Sequence, residues 1–298
     1  MLSVCIPVYN YNVEKLIGDL HHQASALGVA FEIICIDDCS DTHFKNQNKS
    51  ITDLSNVKYI ELKENIGRSK IRNLFLDIVS FTNLLFLDCD AQIVSDKFVN
   101  RYVDSITHNI PVICGGLCYS SEKPQREFLL RWKYGRAKEV ESFESRLKDP
   151  YKSFKTINFL IKKRVLASIK FDERIAGYGH EDTWFGYQVK KTGFQIKHID
   201  NPVLHAQLET NEQFLIKTEQ SIENLIKIVE MANDLEFEES ISLLQTYRKL
   251  KNIKSISVVA LFFLISKSVI RKLLVLGFAN QKLFAFYKLG FLIHNQNK

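Results

Sequence analysis

Through the first hundred residues, short continuous apolar runs alternate with segments whose apolar residues recur at helical spacing. That alternation constrains the chain to an α/β sheet. Strands are predicted over residues 3–8, 31–36, 57–62, 84–87, 112–117, 156–161 and 194–199. Val13, Leu16, Ile17, Leu20, Ala24 and Leu27 mark one helix, and Ile71, Leu74, Phe75, Ile78 and Val79 a second. Residues 119–155 mix charges and aromatics without a clear period, which predicts a poor core and a substrate-facing insertion. The Gly177-Tyr-Gly-His-Glu-Asp182 loop feeds a helix that stops at Gly193. Helices are expected to dominate from Glu212 onward.

Three acidic sites stand at predicted strand ends or in loops. Asp88 and Asp90 follow the apolar run 84–87, and their i, i+2 spacing puts both side chains on one face of an extended backbone. Two acids sharing a face repel unless a proton or cation lies between them, and a hard divalent metal carrying phosphate oxygens serves that purpose. Asp37-Asp38 and Glu181-Asp182 are the other two sites. In open α/β sheets, ligands gather at the carboxyl ends of strands. The sequence contains neither the G-x-G-x-x-G dinucleotide fingerprint after the first strand nor a Walker A motif.

Charge is unevenly distributed. The formal net charge is +6, but no Asp or Glu follows Glu239, and ten of the 40 Lys and Arg do. Residues 1–239 therefore carry a net charge of −4. In the basic tail, residues 255–266 are uncharged and largely apolar, well short of the roughly twenty residues a membrane span needs. Ile270, Leu273, Leu274 and Phe278 share a helical face among basic residues, a pattern expected of interfacial helices on an anionic membrane surface. The alternatives are a helical subdomain packed on the core or a dimer interface. Nucleic acid is a poor partner, because the positive charge sits among Leu, Ile and Phe. The six cysteines show no zinc-type spacing and read as reduced. Met1 runs directly into a strand with no signal-peptide pattern. The expectation is a cytoplasmic protein, peripheral at the inner face of the membrane.

Five segments carry a resemblance. Val4-Cys-Ile-Pro-Val-Tyr-Asn10, Ile34-Cys-Ile-Asp-Asp-Cys-Ser40, Asn65-Ile-Gly-Arg-Ser-Lys-Ile-Arg-Asn73, Leu87-Asp-Cys-Asp90 and Gly177-Tyr-Gly-His-Glu-Asp-Thr-Trp-Phe185 occur in one order over about two thirds of the chain. In them the chain resembles family 2 glycosyltransferases of the GT-A fold. The Glu-Asp loop is similar to that of the β-1,4-galactosyltransferase and chondroitin-polymerase branch. The resemblance implies a Rossmann-like mixed sheet flanked by helices, with a C-terminal helical extension. Residues 1–210 would be the catalytic domain, with 1–118 binding nucleotide sugar and 119–210 binding acceptor, and 211–298 would be the helical region.

The implied reaction is metal-dependent, inverting transfer from a UDP-sugar to a glycan or lipid-linked glycan acceptor. Pro7, Tyr9, Asp37, Asp38, Asn65, Gly67, Arg72 and Asp88 would bind the nucleotide sugar. Asp90 and His205 would hold Mn2+ or Mg2+. Asp182 would be the general base, Glu181 would hydrogen-bond a sugar, and Tyr178 and Trp184 would stack on acceptor rings. Structural alternatives stand beside these roles: helix capping for Asp37-Asp38 and Glu181-Asp182, core packing for Trp184, and a structural histidine at 205. Rival functions are a sugar-nucleotide nucleotidyltransferase, a haloacid-dehalogenase-type phosphatase, disfavoured by Gln92 after the acid pair, and a non-catalytic glycan-assembly protein.

Overall fold

The structure, a computed structural model, describes residues 1–296. The predicted strands and helices of the first hundred residues form as successive β-α units, with β-rich apolar runs buried on both faces as a mainly parallel sheet requires. In chain order these are β1 (Leu2–Val8), α1 (Glu14–Ala26), β2 (Phe31–Asp37), α2 (Thr42–Asn48), β3 (Val57–Glu61), α3 (Arg68–Ile78) and β4 (Asn83–Leu87). There follow β5 (Ala91–Ile93), α4 (Phe98–Ile106), β6 (Val112–Cys114), β7 (Leu117–Cys118), α5 (Leu129–Tyr134), α6 (Phe143–Lys148), β8 (Asn158–Lys162) and α7 (Lys163–Ile169). The chain continues through α8 (Glu181–Lys191), β9 (Ile196–His198) and β10 (Val203–His205). It ends in α9 (Asn211–Ala232), α10 (Leu235–Ser240), α11 (Ser242–Asn252), α12 (Ile256–Val275) and α13 (Gln281–Gln296).

Seven strands make the main sheet in the order β3-β2-β1-β4-β8-β6-β9. β1 pairs parallel with β2 and β4, whereas β8 is antiparallel to both β4 and β6. The strand order reverses between β1 and β4, which makes the gap at their carboxyl ends the topological switch point. One face of this sheet packs Phe86 on Phe159 and, further out, Phe171 on Phe185, with ring centroids 5.1 and 4.1 Å apart. A second, three-stranded sheet runs β5-β10-β7.

The predicted strand 112–117 is broken at its glycines. A Cβ on Gly115 would come within 2.5 Å of Asn158 Nδ2, Asn201 O and the Tyr102 hydroxyl, and Gly116 has φ +92°. The chain turns there, so β6 joins the main sheet and β7 the small one. β5 and β10, three residues each, are too short to show a period and were not foreseen. Neither was α4.

The stretch 119–155 is not the poor core expected. It buries Leu129, Leu130 and Phe154, together with the charged Arg131 and Arg146. Its helices α5 and α6 have six residues each, less than two turns, so no helical repeat could be read from them.

The chain divides into two compact units. The first comprises residues 1–120, 140–176 and 181–207 and contains both sheets. The second comprises 121–139, 177–180 and 208–298. Within the second, α9 starts on a capping box between Thr210 and Gln213. Buried Arg131 there bonds both oxygens of Glu139, at 2.8 and 3.0 Å, and Glu209 at 3.0 Å. α12 and α13 approach so closely that a Cβ on Gly290 would collide with the Phe263 ring.

Candidate active site

The switch point of the main sheet collects four of the five motif segments. Tyr9, just past β1, is 54% exposed, so its ring offers an open stacking face, and Pro7 is half-buried beside it. Asp37 closes β2 with no exposed surface. Its oxygens accept from Ser40 N at 2.7 Å and the Tyr59 hydroxyl at 2.6 Å, so in this structure it shapes the strand end. Asp38 accepts from the backbone N–H groups of Ile66 and Gly67 at 2.7 and 3.0 Å, while Asn65 Nδ2 donates to the Asp38 carbonyl. Burial raises the Asp38 carboxyl above the usual range, and the two N–H donors oppose that. The pair thus holds the loop that starts α3, where Gly67 takes φ +82°, a conformation glycine adopts without strain.

Arg72 on α3 is the centre of the cluster. Its guanidinium is 2% exposed and donates to Asp88 Oδ1 at 2.8 Å and Thr156 Oγ1 at 3.3 Å. It also lies 3.9 Å from Glu181 Oε1, which Arg68 reaches at 3.2 Å. Two arginines one helical turn apart therefore tie the carboxylate after β4 to the carboxylate that opens α8. A buried charge needs such pairing to persist. Asn73, next on the helix, donates to the Phe171 carbonyl and accepts from the Phe171 N–H, fixing the loop that precedes α8.

Glu181 is buried, 5% exposed, and Asp182 is half-buried. Asp182 Oδ1 accepts from the Thr183 N–H at 2.7 Å. Burial, and then the neighbouring Glu181 charge, push the Asp182 carboxyl above its ordinary range; Lys155 opposes this. A half-buried carboxylate with raised proton affinity suits a general base. Trp184 is buried, stacked on Tyr187 with centroids 5.7 Å apart, and its indole N–H serves Asp172. As placed, the ring is core and not an open sugar platform. Tyr178 belongs to the second unit, where Lys217 Nζ sits 5.0 Å over its ring.

Asp90 and His205 are brought together by the small sheet. β10 pairs with β5 so that His205 stands opposite Ala91, and the Ala206 N–H donates to the Asp90 carbonyl. His205 Nε2 lies 3.6 Å from Asp90 Oδ2, and its ring stacks on Tyr119 at 5.2 Å. One carboxylate oxygen and one imidazole nitrogen converging this way fit a divalent ion. Among the described residues, no group of three or more His, Cys, Asp or Glu is placed to hold a metal. These two donors would leave the rest of a coordination shell to ligand oxygens and water.

Four neighbours were not anticipated as site residues. Arg68 pairs with Glu181, Thr156 accepts from Arg72, Lys155 places positive charge near Asp182, and Tyr11 lies near enough to Asp90 and Cys89 for burial and their charges to raise its phenol. Lys155 lies at the end of the segment without periodicity, where the sequence offered no signal, and Thr156 opens the predicted strand 156–161 with nothing to mark it as a site residue. Arg68 was legible as part of the Asn65–Asn73 motif.

Comparison with known proteins follows the same lines. Residues 3–168, more than half of the chain, match the family model for glycosyl transferase family 2. The teichoic acid poly(glycerol phosphate) polymerase of Staphylococcus epidermidis is 30% identical over 149 residues, covering 48% of this chain and 20% of that protein. The match thus spans about a fifth of that relative's length. Among solved structures, a mannosyltransferase from Pyrobaculum calidifontis in complex with GDP-Man and Mn2+ superimposes with TM-score 0.54 at 11% identity, covering 100% of this chain and 86% of that one. GalNAc-T7 with UDP, GalNAc and Mn2+ superimposes with TM-score 0.52 at 18% identity, covering 70% and 43%. These likenesses show the GT-A architecture, and the match over more than half of the chain shows the family: the chain belongs to glycosyl transferase family 2.

Proposed function

We propose that the chain transfers a hexose or N-acetylhexosamine from a UDP-sugar to a glycan acceptor, with inversion at the anomeric carbon. The product would be a surface polysaccharide or a lipid-linked glycan. The observation that carries this reading is the Arg68–Arg72 bridge, which joins Asp88 to Glu181, the neighbour of the half-buried Asp182. That arrangement supplies a nucleotide side and a base side within one unit.

Tyr9 stacks on the nucleobase, and Asp88, oriented by Arg72, accepts from the ribose or the donor sugar. Glu181 is held by its arginines to orient a sugar hydroxyl. Asp182 takes the proton of the acceptor hydroxyl as that oxygen bonds to the anomeric carbon and the bond to the diphosphate breaks. Asp90 and His205 would hold a divalent cation, Mn2+ by preference given the nitrogen donor. Such an ion neutralises charge on the leaving diphosphate. UDP and Mn2+ are what the GalNAc-T7 structure holds, and the teichoic acid polymerase supports a cell-surface polymer as the acceptor's class. Six free thiols, three of them buried, support a reducing, cytoplasmic compartment.

UDP release from a panel of nucleotide sugars, with Mn2+ or with EDTA, tests the reading. Metal-dependent UDP release from one donor supports it. Release of pyrophosphate from UTP and a sugar phosphate would replace it with a nucleotidyltransferase. Preference for GDP-mannose would move the donor class towards that of the Pyrobaculum enzyme.

A further inference from the structure

The helix α12 is apolar on two opposite sides, and only one of them is covered. Phe263, Ile270 and Leu274 form a buried line that packs towards α13, with Phe263 edge-on to Tyr287 at 5.7 Å. On the opposite side Val258, Leu261, Ile265 and Val269 form a second line at i, i+3, i+7 and i+11; Phe262 and Leu273 edge it, Phe262 also meeting Phe286 of α13 edge-on at 5.7 Å. Ile265 is 75% exposed, Val258 71% and Phe262 62%. The outer side of a surface helix is ordinarily polar, and a contiguous apolar patch of this kind marks a contact surface.

We propose that this outward face of α12 is a docking surface for an anionic lipid bilayer, with the helix lying in the plane of the headgroups. Charge selects the occupant. Exposed Lys272 lies on α12 itself, exposed Lys251 and Lys254 precede the helix and exposed Lys282 follows it, and no acid occurs anywhere after Glu239. A second copy of the chain docked through the same face would set these like charges against one another, whereas anionic headgroups complement them. Along one flank, Ser268, Lys272, Val275 and Leu276 line a groove with Arg271, which pairs with Glu212 at 3.5 Å; the Lys272 ammonium and the Ser268 hydroxyl offer donors beside the apolar stripe for a lipid phosphate.

The geometry is that of a helix lying on a membrane. No single described helix is long and apolar enough to cross one. α11 and α12 qualify only as a pair and turn by 117° between them. α12 keeps one side on α13 and so offers the bilayer one face. Side chains of this kind sink into the headgroup and acyl boundary while the flanking lysines stay at its surface. The surface stands on unit 2 alone and does not depend on which sugar the enzyme transfers.

The test is cosedimentation of the full chain with vesicles of phosphatidylcholine alone or mixed with phosphatidylglycerol. The wild type should sediment with the mixed vesicles and much less with phosphatidylcholine alone, and added salt should weaken the binding. The double variant Ile265→Glu with Val269→Glu changes two exposed side chains and should lower vesicle affinity by about tenfold or more. An unchanged melting temperature for the variant shows that it folds. Failure of the wild type to sediment, or equal binding by a folded double variant, overturns the proposal. So does a dimer in sedimentation velocity that the double variant dissolves, which would assign the face to a second copy. A glycosyl-transfer assay on a water-soluble acceptor, run in parallel, reads the enzyme's chemistry separately.

Discussion

A carboxylate accepts a proton usefully near neutral pH only if its surroundings raise its affinity above that of a free side chain. Asp182 has such surroundings, through burial and the charge of Glu181. Because the base must be ionised, kcat/KM should fall as pH drops through its raised pKa, with the acid limb above the ordinary value of about 4. Glu181→Gln removes the like charge, so the limb should move to lower pH; a pH–rate profile reads this directly. Asp182→Asn should lower kcat by about 10²- to 10⁴-fold while UDP affinity, measured by calorimetry, is kept. Equal loss of both would mean that Asp182 holds the nucleotide and is not the base. Arg72 serves two carboxylates from a buried position, so Arg72→Ala removes the cation 2.8 Å from Asp88 and leaves Glu181 to Arg68. The expected cost is about 3 kcal/mol of stability, seen as a lowered melting temperature. The acids, Tyr9 and Arg72 were legible as residues in motifs. That Asp37 is sealed from solvent, and Trp184 buried on Tyr187, was not, because burial depends on neighbours remote in sequence.

Secondary-structure elements show the same division between local and distant causes. Strands β1, β2 and β4 were readable because each is a run of five to seven consecutive buried residues, with Pro7 alone half-buried. β5 and β10, three residues each, exist because they pair with one another, and it is this pairing that carries Asp90 to His205. α6 is held in place by Arg146. Its guanidinium donates to the carbonyls of Cys114 and Ile199 and to His198 Nδ1, while His198 Nε2–H donates to the Pro150 carbonyl. Burial, with the Arg146 charge, lowers the His198 pKa, so the ring stays neutral when folded. Above about pH 6.5 folded and unfolded chains both carry it neutral; below that the unfolded chain takes up the proton first, so stability should decline as pH falls towards the lowered folded value. Melting temperature against pH should show this slope, and His198→Gln should flatten it. The α12–α13 contact rests on Gly290, where an added methyl meets the Phe263 ring. Gly290→Ala should cost about 1–3 kcal/mol, read as a lower melting temperature.

All six cysteines lie among the described residues, where each is a free thiol. The melting temperature should therefore be the same with and without reductant, and six thiols should titrate in denaturant; a reductant-dependent shift would disprove the free-thiol assignment. The alternation of buried runs and helical repeats set the α/β class, because solvent imposes that pattern along the chain itself. The i, i+2 acids and the ordered motifs set the family, because their chemistry resides in residue type and spacing. The charge asymmetry set the tail apart from the rest of the chain in composition. Which acids line the crevice was decided by folding: the switch between β1 and β4, and two arginines on α3, bring Asp88 within reach of a glutamate 93 positions away. So was the fate of the tail's apolar residues. The helical repeat showed that α12 has apolar sides, but only packing against α13 determined which side is covered and which faces outward, because a side chain's exposure is a property of what surrounds it.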